Sequence, residues 1–212
     1  MKARILLGVG GGIAAYKVAD LCSKLAQAGH EVRVVMTASA NRFVGSATFA
    51  ALSGRPVAGE GFDASYPLGA HIELARDVHL MLVAPATANV LGKFANGVAD
   101  DLLSTLYLQN TAPVLLAPAM SDPMWKHPAV RRNVNILKDD GVRFVGPDSG
   151  WLSCRVQGEG RLSAPETIFS AAAEIIGSAD DAAAVRTADA PPAADLHDDT
   201  VSSPSPSTPT TR

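Results

Sequence analysis

The chain has 212 residues, of which 47% are hydrophobic and 18% are charged, and its formal net charge is −3. This length is enough for one α/β domain with a sizeable core and too short for two domains of that size. The sequence holds no cluster of basic residues that would attract a nucleic acid. The composition therefore predicts one domain without a nucleic-acid partner.

The N-terminus resembles a signal peptide, because two basic residues stand before an apolar run. Glycines at positions 8, 10, 11 and 12 interrupt that run, and no stretch reaches the ~20 apolar residues that cross a bilayer. The two cysteines, Cys22 and Cys154, form no CxxC pair and fit a reducing compartment. We expect a cytoplasmic protein with no membrane partner.

Predicted strands and helices alternate along the chain. Residues 4–9 form a short apolar run before a glycine turn, and apolar residues at helical spacing then continue to Gly29. Further strands are expected at 31–37, 79–85, 112–118 and 142–146, and further helices at 41–54, 87–109 in two parts, 127–141 and 165–177. This order predicts a Rossmann-like, flavodoxin-like α/β fold, a parallel sheet with helices on both faces.

Two segments depart from this pattern. From residue 178 the chain is rich in Ala, Asp, Pro, Ser and Thr, so we expect a domain over 1–177 and a disordered tail over 178–212. Leu116 to Val130 holds three prolines, two methionines and Trp125, which argues against a regular helix or strand. Such a loop could fold over its own core or cover a flat, apolar ligand.

Ligands of open parallel sheets bind at the carboxyl ends of the strands. The first such loop does not match GxGxxG, because Ile13 breaks the frame, and Met36 and Thr37 stand where NAD binding needs an acidic residue. Lys17 is out of register for a phosphate-binding P-loop. Two interpretations remain, a tight structural turn or close backbone approach to a phosphate or flat ligand edge.

Short polar side chains follow the second and third strands, at Thr37, Ser39, Thr87 and Asn89. Each could simply cap the helix after it, whereas together they could form a polar cradle. A phosphate site, a polar cradle and an apolar Met/Trp loop suggest flavin mononucleotide (FMN) as a cofactor.

Two residues are candidates for chemistry. His71 lies at a loop-to-helix junction, where an imidazole could accept a thiol proton or hold a carboxylate, or could make only local hydrogen bonds. Cys154 lies in a glycine-rich segment and could donate a proton, act in redox chemistry or have no role. Cys22 falls on the buried face of the first helix and is expected to serve packing. The remaining histidines have no partners at metal-ligand spacing, so we predict no metal.

Four motifs occur in a fixed order, "GGIAAYK", "APATAN" with "ADDLL", "PAM" with "MW" and "HPAVRRN", and a cysteine followed by "GEGR", together with the histidine of "HIEL". Over roughly residues 3–176 the chain thereby resembles the flavin-dependent cysteine decarboxylases, the family of phosphopantothenoylcysteine decarboxylase. The resemblance implies FMN-dependent conversion of phosphopantothenoylcysteine to phosphopantetheine in coenzyme A biosynthesis. In that family FMN oxidises the substrate thiol, carbon dioxide leaves, and the resulting enethiol is reduced back to a thiol.

The same resemblance implies site residues and an assembly. The family's catalytic residues fall on His71 and on Cys154, the acid for the reduction, and the assembly is a homotrimer or a trimer-based dodecamer with FMN at a subunit interface. The residues implied for FMN are Gly11, Gly12, Ile13, Thr37, Ser39, Thr87, Ala88, Asn89, Val90 and Ala119. Those implied for the substrate are Ser121, Met124 and Trp125.

The sequence departs from the family pattern at three neighbouring points. Ser121 stands where an asparagine binds the substrate carboxylate, and it offers one hydroxyl donor instead of an amide. Asp122 would repel a carboxylate if it faced the site, and Arg155 occupies a position where glycine is usual.

Three functions remain open at this point. The first is a decarboxylase without a fused synthetase, which would require a separate phosphopantothenate–cysteine ligase. The second is a peptidyl-cysteine decarboxylase that stops at the enethiol, against which Cys154 weighs. The third is a non-catalytic FMN-binding regulatory subunit, which the serine at position 121 and the acidic tail would fit.

Overall fold

The computed structural model describes residues 2–59 and 65–188, and for residues 179–188 it describes the backbone only. Five strands form the central sheet: β1 Arg4–Val9, β2 Glu31–Met36, β3 Leu80–Ala86, β4 Val114–Pro118 and β5 Arg143–Phe144. All pairs are parallel, and the strand order is β2-β1-β3-β4-β5. This is the flavodoxin-like order, so the predicted fold class is confirmed.

Helices cover both faces of the sheet because its strands alternate between two apolar cores. In β1, Ile5 and Leu7 point into one cluster with the helices at Ala15–Gln27 and Pro165–Ala188, whereas Leu6 points into the other with the helices at Ala88–Ala95, Leu102–Gln109 and Pro128–Asp139. All three side chains are fully buried. The helices are α1 Ala15–Gln27, α2 Ser46–Ser53, α3 Ala70–Ala75, α4 Ala88–Ala95, α5 Leu102–Gln109, α6 Asp122–Lys126, α7 Pro128–Asp139 and α8 Pro165–Ala188.

Two predictions about helices were wrong: one predicted helix is divided, and one segment predicted to lack a regular helix contains one. The single helix expected at 41–54 is divided, because Gly45 is extended (φ −68°, ψ 144°) between a 3-10 turn at Ala40–Arg42 and α2. The proline-rich segment contains the regular helix α6, which was not expected. Its proline lies in the first helical turn, where a missing N–H costs no hydrogen bond.

A two-stranded antiparallel hairpin, β6 Asp148–Trp151 and β7 Gln157–Arg161, follows the main sheet and was not predicted. The last helix was expected to end at residue 177, and it continues to Ala188. This extension is rich in alanine, which has the highest helix propensity. Residues 189–212 of the predicted tail, including His197, lie outside the described residues, so the tail and the domain boundary stay predictions.

Within residues 2–59 and 65–188, no helix is long and apolar enough to span a membrane.

Candidate functional site

Three loops pack against one another at the carboxyl edge of the sheet. A Cβ atom on Gly10 would overlap the Pro85 carbonyl, and one on Gly11 would overlap Ser39. The Thr37 amide donates to the Val9 carbonyl at 3.1 Å. The loops after β1, β2 and β3 therefore form one continuous surface that only glycine at these two positions allows.

The helices that begin at this surface differ in how their first turns are capped. In α4, the Thr87 hydroxyl accepts a hydrogen bond from the Val90 amide at 3.3 Å. In α1, no side chain caps the first turn, which begins after Ala14. The Ala15 and Lys17 amides already donate to the Gly12 and Ala14 carbonyls at 2.9 and 3.0 Å, and the helix dipole favours negative charge at this end of α1.

A cavity of about 520 Å³ lies between these loops, the start of α6 and the hairpin. It brings together nine of the residues proposed from the sequence, namely Gly11, Gly12, Ile13, Thr87, Ala88, Ala119, Ser121, Met124 and Cys154. Much of the remaining lining is apolar and includes Met120, Trp151, Leu152 and Leu162. A cavity of this size and character suits a flat, largely apolar ligand.

Six other proposed residues do not line the cavity. The Thr37 hydroxyl accepts a hydrogen bond from the Ala40 amide at 3.2 Å, so it caps the turn after β2. Ser39 is exposed beside Gly11, Asn89 is exposed in the first turn of α4, and Val90 is buried in the core. The capping interpretation thus holds for Thr37, as it does for Thr87, and the binding roles of these residues stay predictions.

The two explanations of the proline-rich segment apply to different residues within it. Trp125 is 8% exposed and packs into the core, with the Arg131 guanidinium 4.8 Å from its ring centre. Met120, Ser121 and Met124 line the cavity instead. The segment therefore covers its own core with the tryptophan and the cavity with its other side chains.

Cys154 lies in the turn of the hairpin. Two backbone hydrogen bonds close this turn, from the Leu152 amide to the Val156 carbonyl and from the Arg155 amide to the Leu152 carbonyl, both at 2.9 Å. Arg155 has φ +65°, in the left-handed region that favours glycine. The turn exposes the Cys154 side chain at the cavity.

Asp122 does not face the cavity. Its Oδ1 atom accepts a hydrogen bond from the Glu159 amide at 2.8 Å and lies 2.8 Å from Lys126 Nζ. The hydrogen bond from Lys126 and that from the Glu159 amide hold the pKa of Asp122 below its ordinary value. The predicted repulsion of a substrate carboxylate therefore does not arise, because the Asp122 charge is paired on the hairpin side.

The model of one protein family, Flavoprotein, matches residues 1–177. The chain belongs to the Flavoprotein family. It is 52% identical over 169 residues to the coenzyme A biosynthesis bifunctional protein CoaBC of Bacillus subtilis, a match that covers 79% of this chain and 42% of that protein. The CoaBC of Mycobacterium bovis is 46% identical over 169 residues, covering 80% and 40%. The chain thus spans less than half the length of these relatives.

Solved structures resemble this flavoprotein along nearly their whole length. A PPC decarboxylase with a cysteine-to-serine substitution, complexed with pantothenoylaminoethenethiol, is 30% identical, with a TM-score of 0.72, covering 82% of this chain and 98% of that one. The FMN-dependent cysteine decarboxylase SpaF is 33% identical, with a TM-score of 0.73, covering 84% and 97%.

His71 lies apart from the cavity in this flavoprotein. It is partly buried in the first turn of α3, where its ring lies against the backbone of Gly69. It has no hydrogen-bond partner within the described part of the chain. One copy of the chain therefore does not bring His71 and Cys154 together.

Two cations at the cavity were not singled out from the sequence. Lys17 and Arg161 both line it, and neither takes part in an ion pair with the side chains that the structure describes, those of residues 2–59 and 65–178. Both stand in motifs that carry the family resemblance, the ends of "GGIAAYK" and "GEGR". Only the fold places the end of β7 opposite the start of α1.

Proposed function

We propose that this chain is an FMN-dependent decarboxylase that converts phosphopantothenoylcysteine to phosphopantetheine in coenzyme A biosynthesis. The observation that carries the proposal is the single cavity that joins the glycine loop of β1, the Met120–Met124 segment and Cys154. The similarity to CoaBC and to a PPC decarboxylase supports this choice of substrate.

The residues around the cavity fit FMN. The uncapped start of α1 suits its phosphate, and the backbone at Gly11 and Gly12 permits close approach of a planar ring. The apolar side chains of Ile13, Met120 and Met124 suit the ring faces. When bound, FMN is the two-electron acceptor for the substrate thiol, and the electron pair returns to the enethiol after decarboxylation.

Residues of the chain would bind and protonate the substrate. The Ser121 hydroxyl at the cavity would donate a hydrogen bond to the carboxylate that leaves as carbon dioxide. The Cys154 thiol would supply a proton to the enethiol as it regains the electron pair. Overall the carboxylate is replaced by hydrogen, so the reaction is redox-neutral.

The substrate carries a phosphate and a carboxylate, and the free cations at the cavity support an anionic ligand of this kind. Neither Lys17 nor Arg161 forms an ion pair with a side chain of residues 2–59 and 65–178, so their charges are available to the ligand. In this pathway the substrate would come from a phosphopantothenate–cysteine ligase, and both steps would take place in the cytoplasm.

His71 would act from a second copy of the chain. It does not line the cavity of its own copy, and its neighbours Leu68 and Ile72 are 61% and 40% exposed. An apolar surface around a histidine that lacks a hydrogen-bond partner in the described part of the chain suits a subunit contact. A subunit contact there would complete the site at an interface, and it would agree with the homotrimer, or the dodecamer built from trimers, that the family resemblance implies.

The test is anaerobic incubation of the purified flavin-containing protein with phosphopantothenoylcysteine, following carbon dioxide and the product thiol by mass spectrometry. We expect both products in equal amounts. Carbon dioxide with only the enethiol would instead favour the peptidyl-cysteine type of decarboxylase. Bound FMN without carbon dioxide would overturn the proposal and favour a regulatory subunit.

A further inference from the structure

The side chain of Asp122 connects the two sides of the cavity from outside it. Asp122 follows Ser121 at the start of α6, and its Oδ1 atom accepts the Glu159 amide of β7 at 2.8 Å. The same oxygen lies 2.8 Å from Lys126 Nζ, one turn along α6. One carboxylate is therefore shared between the helix beside the substrate site and the hairpin that carries Cys154.

The β7 backbone fits closely around this carboxylate. A Cβ atom on Gly158 would lie 2.7 Å from the Asp122 Cβ and 2.9 Å from its Oδ1, so only glycine leaves room for the contact. Two residues along β7, the Gly160 carbonyl accepts a hydrogen bond from the Met120 amide at 2.9 Å. The segment before α6 and the hairpin are thus joined at two neighbouring points.

The position of β7 determines the position of Cys154. Trp151 and Gln157 are paired at the end of the hairpin, and the five residues between them include Cys154. The turn is closed by the hydrogen bond from the Leu152 amide to the Val156 carbonyl. A displacement of β7 would therefore move the thiol, because the turn has little freedom of its own.

We propose that Asp122 is a positioning residue for Cys154, holding the hairpin against α6 so that the thiol faces the cavity beside Ser121. The inference rests on the proposed function and adds to it the group that aligns the proton donor. In the reductive step, the electron pair that left the thiol returns to the carbon–carbon double bond with two protons. Cys154 would supply one of them and be reprotonated by solvent, and the other would arrive with the electron pair as a hydride equivalent from the reduced flavin. A displaced hairpin slows this step and leaves the carbon dioxide release of the first turnover intact; later turnovers slow with it, because this step also restores the oxidised flavin.

Three variants separate this role from others. Asp122→Ala removes the acceptor for the Glu159 amide, Asp122→Asn retains a neutral acceptor oxygen, and Lys126→Met removes only the ion pair. For Asp122→Ala we expect the ratio of enethiol to thiol product to rise about tenfold, the size of one lost hydrogen bond. FMN content and the carbon dioxide released in a single anaerobic turnover, one equivalent per bound FMN, should stay within about twofold of wild type. Asp122→Asn and Lys126→Met should resemble the wild type.

A readout that does not depend on turnover accompanies the product analysis. Asp122→Ala should speed hydrogen exchange at the Glu159 amide and change the rate of Cys154 alkylation by iodoacetamide at least about threefold, and Lys126→Met should do neither. If the wild type releases no carbon dioxide, the proposed function fails. The exchange and alkylation rates still show whether Asp122 holds the hairpin and positions Cys154.

Two results would overturn the inference. One is faster exchange at the Glu159 amide in Asp122→Ala with an unchanged alkylation rate and product ratio. The hydrogen bond to Asp122 would then be lost without any effect on the Cys154 thiol. The other is an equal loss of carbon dioxide release and thiol formation in a single turnover of Asp122→Ala, because Asp122 would then act on the substrate and not through the hairpin.

Discussion

The cavity has two walls that come from different parts of the fold. The sheet wall consists of residues 11–14 with Thr87 and Ala88, at the ends of buried parallel strands. The hairpin wall consists of residues 151–154 and 160–162, in and after a two-stranded hairpin. The strands under the sheet wall are almost completely buried, whereas Trp151 and Val156 of the hairpin are 61% and 48% exposed.

This difference separates two tasks. The sheet wall is held by a hydrophobic core, so it can keep a fixed shape for a cofactor. The hairpin wall is held by few contacts, among them the Asp122 carboxylate and the bond from the Ser163 hydroxyl to Asp148 at 2.8 Å. Local stability is expected to be lower there, as is common for segments that cover a substrate. Changes in the first wall should affect flavin binding, and changes in the second should affect turnover.

The largest expected effect comes from the hairpin wall. Cys154→Ser should reduce formation of the thiol product by about 10²–10⁴-fold, the usual contribution of a general acid, and leave the unfolding temperature and FMN content unchanged because the side chain is exposed. Product analysis by mass spectrometry and thermal unfolding measure the two effects.

The matched control is the other cysteine. Cys22 is fully buried in α1, and burial raises the pKa of its thiol to about 11. Cys22→Ser should lower the free energy of unfolding by about 1–3 kcal/mol without changing the ratio of products. Equal turnover in Cys154→Ser and wild type would contradict the assignment of the proton donor.

A substitution in the sheet wall should lower the affinity for FMN. Gly11→Ala places a Cβ atom on Ser39 and forces the loops after β1 and β2 apart. Such overpacking costs about 1–3 kcal/mol, so we expect FMN affinity to fall about 10- to 100-fold. Fluorescence titration with FMN measures the affinity. Gly177→Ala, in open space on α8, is the control and should bind FMN like the wild type; a similar loss in both variants would rule out a specific effect at the loop.

Ser121 lies where the two walls meet, and a substitution there should strengthen the contact with the substrate carboxylate. Ser121→Asn adds an amide donor and an acceptor at the position that contacts the carboxylate in the resembled family. We expect kcat/KM for decarboxylation to rise about tenfold, the size of one added hydrogen bond. Steady-state release of carbon dioxide is the measurement, and unchanged or lower turnover would contradict the proposed role of Ser121.

A smaller effect is expected at the turn of the hairpin. Arg155→Gly should relieve the left-handed conformation at φ +65°, which costs an ordinary residue about 1 kcal/mol. Arg155→Ala removes the same side chain and keeps the cost, so it is the matched control. Hydrogen exchange of the turn amides should be slower in the glycine variant than in the alanine variant. The reverse order would mean that the turn adopts another conformation in solution.

The smallest effect concerns pH. Because Lys126 and the Glu159 amide hold the pKa of Asp122 below its ordinary value, its stabilisation of the hairpin is complete above the unfolded pKa of about 3.9. The part of that stabilisation that depends on the charge is lost as the pH falls through the lowered pKa, whereas the neutral carboxyl keeps an oxygen that can accept the Glu159 amide. Protection of the Glu159 amide, corrected for intrinsic exchange, should therefore be constant between about pH 5 and 8. A midpoint within that range would contradict the lowered pKa of Asp122, because an unpaired carboxyl also titrates below about pH 5.

The sequence predicted the regular part of the fold from periodicity alone. Strands such as 4–9 and 79–85 are short apolar runs next to glycine or proline, and a helix follows each, so the parallel sheet could be inferred without a structure. The same reasoning identified Cys22 as buried, because its spacing matched Val18 and Leu25, and the structure confirms it. Of the nine cavity residues, reasoning from the residues pointed to the glycine loop, Thr87, the Met/Trp loop and Cys154, and the family resemblance supplied the others.

The sequence failed where no period was present. The hairpin reads "DSGW" and "QGEGR", with no alternation of apolar and polar residues, and α6 begins with a proline-containing turn. Helix and strand patterns arise from burial on one face, so elements that bury little surface leave no such pattern.

The sequence itself thus determined the order of strands and helices, the glycine turns between them, and which cysteine is buried. Local propensity and burial act within a few residues, so these features can be read from neighbouring positions. The tertiary structure decided which distant residues meet. It turned Asp122 away from the cavity and toward Glu159, 37 residues later, and kept His71 out of the cavity of its own chain. It also brought Lys17 and Arg161 to one cavity. Such contacts depend on the packing of whole elements, and side-chain spacing along the chain does not encode them.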